Sequence, residues 1–230
     1  MIIHGDDRQI VGDLSVRPHS ATCLIQTRYS EHPDLVGFGT GFVVGQGRVA
    51  TAAHVLWNDV GGLYDKRLPD SIEIFLGAGL LAGHPELAFT LAPDPADDLV
   101  HPAYLGGDHD LDVARLTLAQ ATTAPLSVLG FPADVKPGET VTIGGFPTDL
   151  SPFRHREASG PLGQLAKPTF LHQVDTGHGQ SGAPVRVFRD GGWTVIGIHL
   201  GDAGDLGPGK SPMNRALALT PDIVAWLLQS

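Results

Sequence analysis

Short runs of strand-forming residues recur along this chain, each broken within a few residues by Gly, Pro or Asp. They are Ala21–Arg28, Thr40–Val44, Arg48–Thr51, Ser71–Leu76, Val113–Leu118, Thr140–Gly144, Phe170–Val174, Ala183–Val187, Thr194–Leu200 and Ala216–Leu219. With 30 Gly and 18 Pro in 230 residues, long helices have little room to form. Many short strands at this spacing predict an all-β antiparallel barrel or sandwich, not alternating βαβ units. A single helix is expected, over residues 221–229. Thr220 suits the N-cap, Pro221 the first helical position, and Asp222 complements the positive helix start. Ile223, Val224, Trp226, Leu227 and Leu228 supply its apolar face.

The least strand-like stretches are Pro93–Gly107 and Ala119–Gly138. The second, with Pro125, Pro132 and Pro137, reads as a connection between an N-terminal half (1–118) and a C-terminal half (139–230). A site at the junction of two packed halves is the expected arrangement. The formal net charge of -10 comes from acidic residues spread along the chain. No basic surface for nucleic acid is therefore expected. No apolar run reaches the length of a membrane span, and residues 1–7 have no signal-peptide pattern. Cys23 has no partner for an intrachain disulfide and reads as a small core residue in a strand.

The chemistry concentrates in Asp175-Thr176-Gly177-His178-Gly179-Gln180-Ser181-Gly182-Ala183-Pro184-Val185. Glycines on both sides of Ser181 permit a sharp turn that leaves its hydroxyl uncrowded. The same turn can aim two amide N–H groups at one developing oxyanion. A serine hydroxyl needs an adjacent base, usually a histidine oriented by a carboxylate. Upstream, His54 follows the small, apolar run Val49-Ala50-Thr51-Ala52-Ala53, and Asp112 stands at the mouth of the strand beginning Val113-Ala114. Asp110 is a rival carboxylate, since Asp110-Leu111-Asp112 offers two acids on one side of a strand; Asp112 is preferred because it directly precedes the Val113-Ala114 pair.

In the order His, Asp, Ser, the blocks Thr51-Ala52-Ala53-His54, Asp112-Val113-Ala114-Arg115-Leu116 and Gly179-Gln180-Ser181-Gly182-Ala183-Pro184 resemble the trypsin/chymotrypsin-like serine peptidases. The branch most resembled is that of the bacterial glutamyl endopeptidases. Asp-Thr-Gly-x-Gly-Gln-Ser-Gly, Gly197-Ile198-His199 and Asp7-Arg8-Gln9-Ile10 carry that likeness. The resemblance implies two packed six-stranded antiparallel β-barrels with a C-terminal α-helix. His54 and Asp112 would come from the first barrel and Ser181 from the second. It further implies Ser181 as nucleophile, His54 as base, Asp112 as its orienting carboxylate, and the N–H groups of Gly179 and Ser181 as oxyanion hole. The implied partner is a polypeptide substrate; no cofactor, nucleic acid or membrane is expected.

Two features point to opposite specificities at the residue before the scissile bond (P1). Asp175 stands where trypsins carry the pocket-floor carboxylate that selects Lys and Arg. Thr176 and His199 stand where glutamyl endopeptidases bind an acidic P1 side chain, by a neutral and a charge-assisted hydrogen bond. Acidic P1 is the preferred expectation, with basic P1 and a catalytically silent peptide-binding protein as alternatives. Met1 falls near the mature amino terminus of that branch, where the amine helps bind the P1 acid. The chain then reads as a mature secreted fragment, a cytoplasmic protein starting at Met1, or a module of a longer protein. The run Asp108-His109-Asp110-Leu111-Asp112 has neither EF-hand nor zinc-enzyme spacing, so no metal site is expected. Gly201–Gly209 lacks the Lys-Ser/Thr of a phosphate loop.

Overall fold

The computed structural model describes all residues except 4, 46, 60–65, 77–86, 91–98, 119–126, 129–134, 205, 207–211 and 230. Most of the expected connection Ala119–Gly138, including Pro125 and Pro132, lies outside the described residues, as does part of Pro93–Gly107 and of Gly201–Gly209. The chain begins with β1 (Gln9–Ile10), then lays down β2 (Thr22–Tyr29), β3 (His32–Val44) and β4 (Arg48–Thr51). The one-turn helix α1 (Ala53–Leu56) precedes β5 (Asn58–Asp59), β6 (Lys66–Arg67), β7 (Ser71–Leu76) and β8 (Leu87–Thr90). A second short helix, α2 (Pro102–Leu105), leads to β9 (Ala114–Thr117) and β10 (Ser127–Val128). Next come β11 (Thr140–Gly145), β12 (Arg156–Ala166), β13 (Thr169–His172), β14 (Pro184–Arg189), β15 (Gly192–Asp202) and β16 (Asn214–Ala218). Helix α3 (Pro221–Leu228) is the last element.

The strands form two main antiparallel sheets. The first has six strands in the order β8-β7-β2-β3-β4-β9, and its end strands do not pair with each other among the described residues. The second closes on itself, because β12 pairs with both β11 and β13 around β11-β14-β15-β16-β13. Strand β1 adds antiparallel to β12, and β10 adds parallel to β15. The expected double barrel is thus one closed six-stranded barrel and one six-stranded half-barrel.

Each sheet has its own core. Ile25, Phe42, Val49, Ile72, Ile74 and Leu116 fill the first; Val141, Ile143, Leu162, Phe170, Val185 and Ile196 fill the second. Strand β15 is buried on both faces, as a strand between two cores must be: Ile196 joins the second cluster, while Val195, Ile198 and Leu200 join the first. Helix α3 forms where expected, with the Thr220 Oγ1 accepting the Ile223 N–H at 3.4 Å. It packs Ile223 and Leu227 into the core of the first sheet, although it follows the last strand of the second.

Two strands run where propensity argues against them. Strand β12 contains Gly160, Pro161 and Gly163. Its first part pairs with β11 as far as Pro161, and its remainder pairs with β13 from Leu162 onward. Pro161 therefore sits at the change of partner, where a missing N–H costs no ladder bond. A side chain at Gly160 would run into the Gln173 carbonyl, so only glycine allows that close approach. Strand β3 starts at His32, eight residues before the expected Thr40, because pairing with β2 extends it through Gly37 and Gly39.

Candidate active site

Strand β4 brings the chain up from the first core to Ala52, and α1 turns immediately, carrying His54 in that turn. Ala50, Ala52 and Ala53 are fully buried, so the backbone beneath the imidazole is packed solid. The histidine was expected at a strand end; it lies one residue into the helix beyond it. Asp112 comes from the segment just before β9, and strand pairing of β4 with β9 sets the two residues side by side. One Asp112 oxygen accepts the His54 backbone N–H at 2.9 Å, and the other lies 2.7 Å from His54 Nδ1. The Asp112 side chain is 7% exposed, that of His54 30%. Asp110 instead points to Arg215, 3.1 Å away on the surface.

Ser181 sits in the turn before β14. Around it the carbonyls are tied down one by one. Thr148 N–H donates to the His178 carbonyl at 2.8 Å, Thr40 Oγ1 to that of Gly179 at 2.8 Å, and Thr40 N–H to that of Ser181 at 2.8 Å. The Gln180 carbonyl accepts the Ala183 N–H at 3.0 Å. Gly179 has φ +88° and Gly182 φ +86°, a conformation that favours glycine. A Cβ at Gly182 would also collide with the Thr40 carbonyl and Thr51 Oγ1 across the junction of the sheets. Thr40 is fully buried and serves both sides: its hydroxyl also accepts the Phe146 N–H at 3.1 Å. The Ser181 hydroxyl lies 3.4 Å from the Leu200 carbonyl.

Two cavities flank Ser181. The first, about 430 Å3, is lined by His54, Gly179 and Ser181 together with Leu35, Val36, Phe38 and Val55. The second, about 400 Å3, is lined by Ser181, Thr176 and His199 together with Met1, Ile2, Asp149 and Asp202. Of the expected site residues, His54, Gly179, Ser181, Thr176 and His199 all reach one cavity or the other, and Asp112 backs His54. Asp175 does not reach either. It is 5% exposed, and its two oxygens accept the Ile3 N–H at 2.7 Å and the Asp7 N–H at 3.2 Å. It anchors the amino-terminal segment.

Behind the lining of the second cavity stand polar residues to which the sequence assigned no role. His172, on β13, is fully buried, and its Nε2 lies 3.2 Å from His199 Nδ1. Val174 N–H donates to His172 Nδ1 at 3.3 Å. Burial, then the nearby amino terminus, pushes His172 down to about 3, and burial with His172 beside it holds His199 well below the usual histidine range. Both rings are therefore neutral. With Nδ1 of His172 already accepting, its proton is on Nε2 and donates to His199 Nδ1, leaving the His199 proton on its own Nε2. Asn214, also fully buried, accepts the Met1 ammonium at 3.1 Å and donates to the Val174 carbonyl at 2.8 Å. The same ammonium donates to Thr176 Oγ1 at 3.2 Å, and burial lowers its pKa. Arg8, 1% exposed in its side chain, pairs with Asp6 at 2.9 Å and Asp149 at 2.8 Å, and its hydrogen bond holds the Asp149 carboxyl below the usual range. A period-two reading places His172 on the same inward face as Phe170, and Asn is a poor strand former; those were the available signals.

This chain is 24% identical over 190 residues to a glutamyl endopeptidase of Bacillus licheniformis, a match covering 80% of this chain and 54% of the relative. It thus spans about half the length of that curated relative. Its fold is similar to that of a Glu endopeptidase solved in complex with MPD, with TM-score 0.69 and 17% identity over 99% of this chain and 97% of the other. It is also similar to the active form of the Rv3671c protease from M. tuberculosis (TM-score 0.59, 21% identity, 91% and 79% covered). A third likeness is to an inactivated protease paralogue of the scabies mite (TM-score 0.60, 18% identity, 87% and 90% covered). Residues 39–198, which run from β3 through the Ser181 turn into β15, match the model of the trypsin-like peptidase domain, and the chain belongs to that family.

Proposed function

We propose that the protein is a serine endopeptidase that cuts peptide bonds after acidic residues, forming an acyl-enzyme on Ser181. The observation that carries this reading is the two-point hold of Asp112 on His54, with His54 and Ser181 facing one cavity. A carboxylate at Nδ1 keeps the ring proton on that nitrogen and leaves the Nε2 lone pair as a base. Ser181 Oγ attacks the scissile carbonyl as its proton passes to His54 Nε2. The C–N bond then breaks as Nε2 returns that proton to the leaving amine. Water, deprotonated by the same histidine, cleaves the ester and restores Ser181. The anchored carbonyls of residues 178–181 support an oxyanion hole built from the Gly179 and Ser181 N–H groups.

Acidic P1 preference is argued from the hydrogen-bond direction at His199. Its Nδ1 is taken by His172, so the atom it can offer a substrate is a donor, Nε2–H. The Thr176 hydroxyl accepts from the Met1 ammonium and has its own proton left to donate. A P1 carboxylate meets two donors there, whereas a P1 ammonium would face the His199 N–H, a donor that it cannot pair with. The names of the glutamyl endopeptidase of Bacillus licheniformis and of the similar Glu endopeptidase agree with this direction. One observation favours the basic alternative: Asp149 and Asp202 line the same cavity. Asp149 is held by Arg8, which it shares with Asp6, and Asp202 is exposed and accepts the Gly204 N–H at 2.6 Å. Asp175, the candidate for selecting Lys or Arg, spends both oxygens on backbone N–H groups.

A fluorophosphonate probe should label the wild type and not Ser181→Ala. Absence of wild-type labelling would favour a peptide-binding role instead. A P1 peptide library should then show cleavage after Glu. Cleavage confined to Lys or Arg would transfer the specificity to Asp202.

A further inference from the structure

Each carbonyl from Gly177 to Ser181 accepts a hydrogen bond, and two of those bonds come from a single residue of the other sheet. In the peptidase reading, on which this inference rests, the Gly179 and Ser181 N–H groups must point at one oxygen. The angle between them is set by the Gly179–Gln180 peptide that links them. A peptide unit is planar, so holding it at both ends fixes the directions in which its neighbours set out. The Gln180 N–H donates to the Gly177 carbonyl at 3.1 Å, and the Gly179 carbonyl accepts the Thr40 hydroxyl at 2.8 Å. Gly179 has no side chain to restrict its backbone, so the restraint has to come from outside the turn. Among the described residues, neither the Gly179 N–H nor the Ser181 N–H is spent on another group.

Thr40 is fully buried on β3, in the first sheet. Strand β3 pairs with β4 only from Phe42 onward, which leaves the Thr40 backbone to other partners. Its N–H donates to the Ser181 carbonyl and its carbonyl accepts the Thr51 hydroxyl, each at 2.8 Å. Thr51 ends β4, just before the turn that carries His54. One residue thus ties the strand beneath the base to the turn that carries the nucleophile. The Thr40 hydroxyl accepts the Phe146 N–H at 3.1 Å, and its single proton goes to the Gly179 carbonyl. The fit around it is close: a Cβ at Gly145 would stand 2.8 Å from Thr40 Oγ1.

We propose that Thr40 is a positioning residue for the chemical step. Its hydroxyl, set between the Phe146 N–H and the Gly179 carbonyl, fixes the angle at which the Gly179 and Ser181 N–H groups meet the oxyanion. The first sheet thereby gauges the reactive turn of the second. The oxyanion exists only once the bond to Ser181 forms, so losing the hydroxyl lowers kcat and spares KM.

Thr40→Val keeps the shape and the backbone bonds and removes only the hydroxyl. With a peptide chosen by the P1 library, its kcat should fall about tenfold to a hundredfold while KM stays within about twofold. Thr40→Ser, which restores the hydroxyl, should bring kcat back to within about threefold of wild type. A peptide aldehyde with the same acyl side gives a second readout. Ser181 Oγ adds to its carbonyl carbon as the hydroxyl proton passes to His54, and the former carbonyl oxygen takes the place of the oxyanion. Its Ki should rise in Thr40→Val by the factor lost from kcat/KM. Thermal melting sets a temperature at which each variant is folded. A folded Thr40→Val with wild-type kcat and aldehyde affinity overturns the inference, even if it melts earlier. Should Thr40→Val fail to fold, Gly145→Ala carries the test, since its Cβ displaces the same hydroxyl without deleting it. Folded Gly145→Ala should lose kcat at constant KM, and an unchanged kcat overturns the inference. Fluorophosphonate labelling of the wild type separates the two levels. An active wild type whose variants keep kcat overturns only the role of Thr40. A wild type that neither labels nor cleaves overturns the peptidase reading, and this role with it.

Discussion

Asp112 and Asp110 stand two residues apart with the same chemistry, and their surroundings give them different work. Asp112 is nearly buried and bonds both the backbone and the ring of His54, whereas the Asp110 side chain is 55% exposed and pairs with Arg215. Sequence could nominate both, because a period-two reading puts them on the same side; the register of β4 against β9 separates them. Asp112→Asn should lower kcat by about 10³–10⁴-fold, since an amide cannot hold the reactive tautomer. Asp110→Asn should leave kcat within about twofold, as an exposed ion pair contributes little. Steady-state hydrolysis of one peptide by both variants checks the pair. Asp175 teaches the opposite lesson. Its position six residues before Ser181 suggested a pocket floor, and only the placement of the Ile3 and Asp7 N–H groups against it shows where its oxygens are spent.

Among the elements, the runs rich in β-branched residues were legible: β4 and β7 match their expected bounds residue for residue. Strand β12 was not, because Gly160, Pro161 and Gly163 lower its intrinsic preference, and pairing with β11 and β13 overrides that. Helix α3 was legible from its cap and apolar spacing, but its docking partner was not. Leu227 is 1% exposed in the first core, while its neighbour Leu228 is 38% exposed. Arg115 also reaches the Trp226 carbonyl and lies 4.7 Å over the Trp226 ring, fixing the helix against β9. Leu227→Ala should cost about 2–5 kcal/mol of stability, the range for emptying a buried leucine site. Leu228→Ala should stay within about 0.5 kcal/mol. Urea unfolding followed by tryptophan fluorescence measures both.

At the scale of the molecule, the two ends of the chain exchange sides: β1 adds to the second sheet, and α3 fills the core of the first. Several buried histidines make the assembly sensitive to acid. His172 titrates near 3, and His155 and His199 are held well below the usual range, in each case chiefly by burial. Their folded-state pKa values lie below the unfolded value of about 6.5. The unfolded chain therefore binds more protons in between, so this stability is full above about 6.5 and drains away as pH falls toward 3. Asp6 and Asp149, held low by Arg8, add loss of the same sign. His155 has no hydrogen-bond partner on either ring nitrogen among the described residues, so it gains nothing from its polarity. His155→Leu should flatten the fall in unfolding free energy between pH 6.5 and 4, by up to about 1.4 kcal/mol per pH unit. Urea titrations of wild type and variant across that range test it. The sequence by itself determined the β architecture, the terminal helix and the three blocks that carry His54, Asp112 and Ser181, because strand spacing, caps and short motifs are local properties. Tertiary structure alone decided that Asp112 holds His54 at two points, that Asp175 faces the amino-terminal segment, and that Thr40 joins the sheets at the Ser181 turn. It also assembled the pair of His172 and His199. Those depend on strand register and on backbones brought together from distant parts of the chain, and no local pattern encodes such a distance.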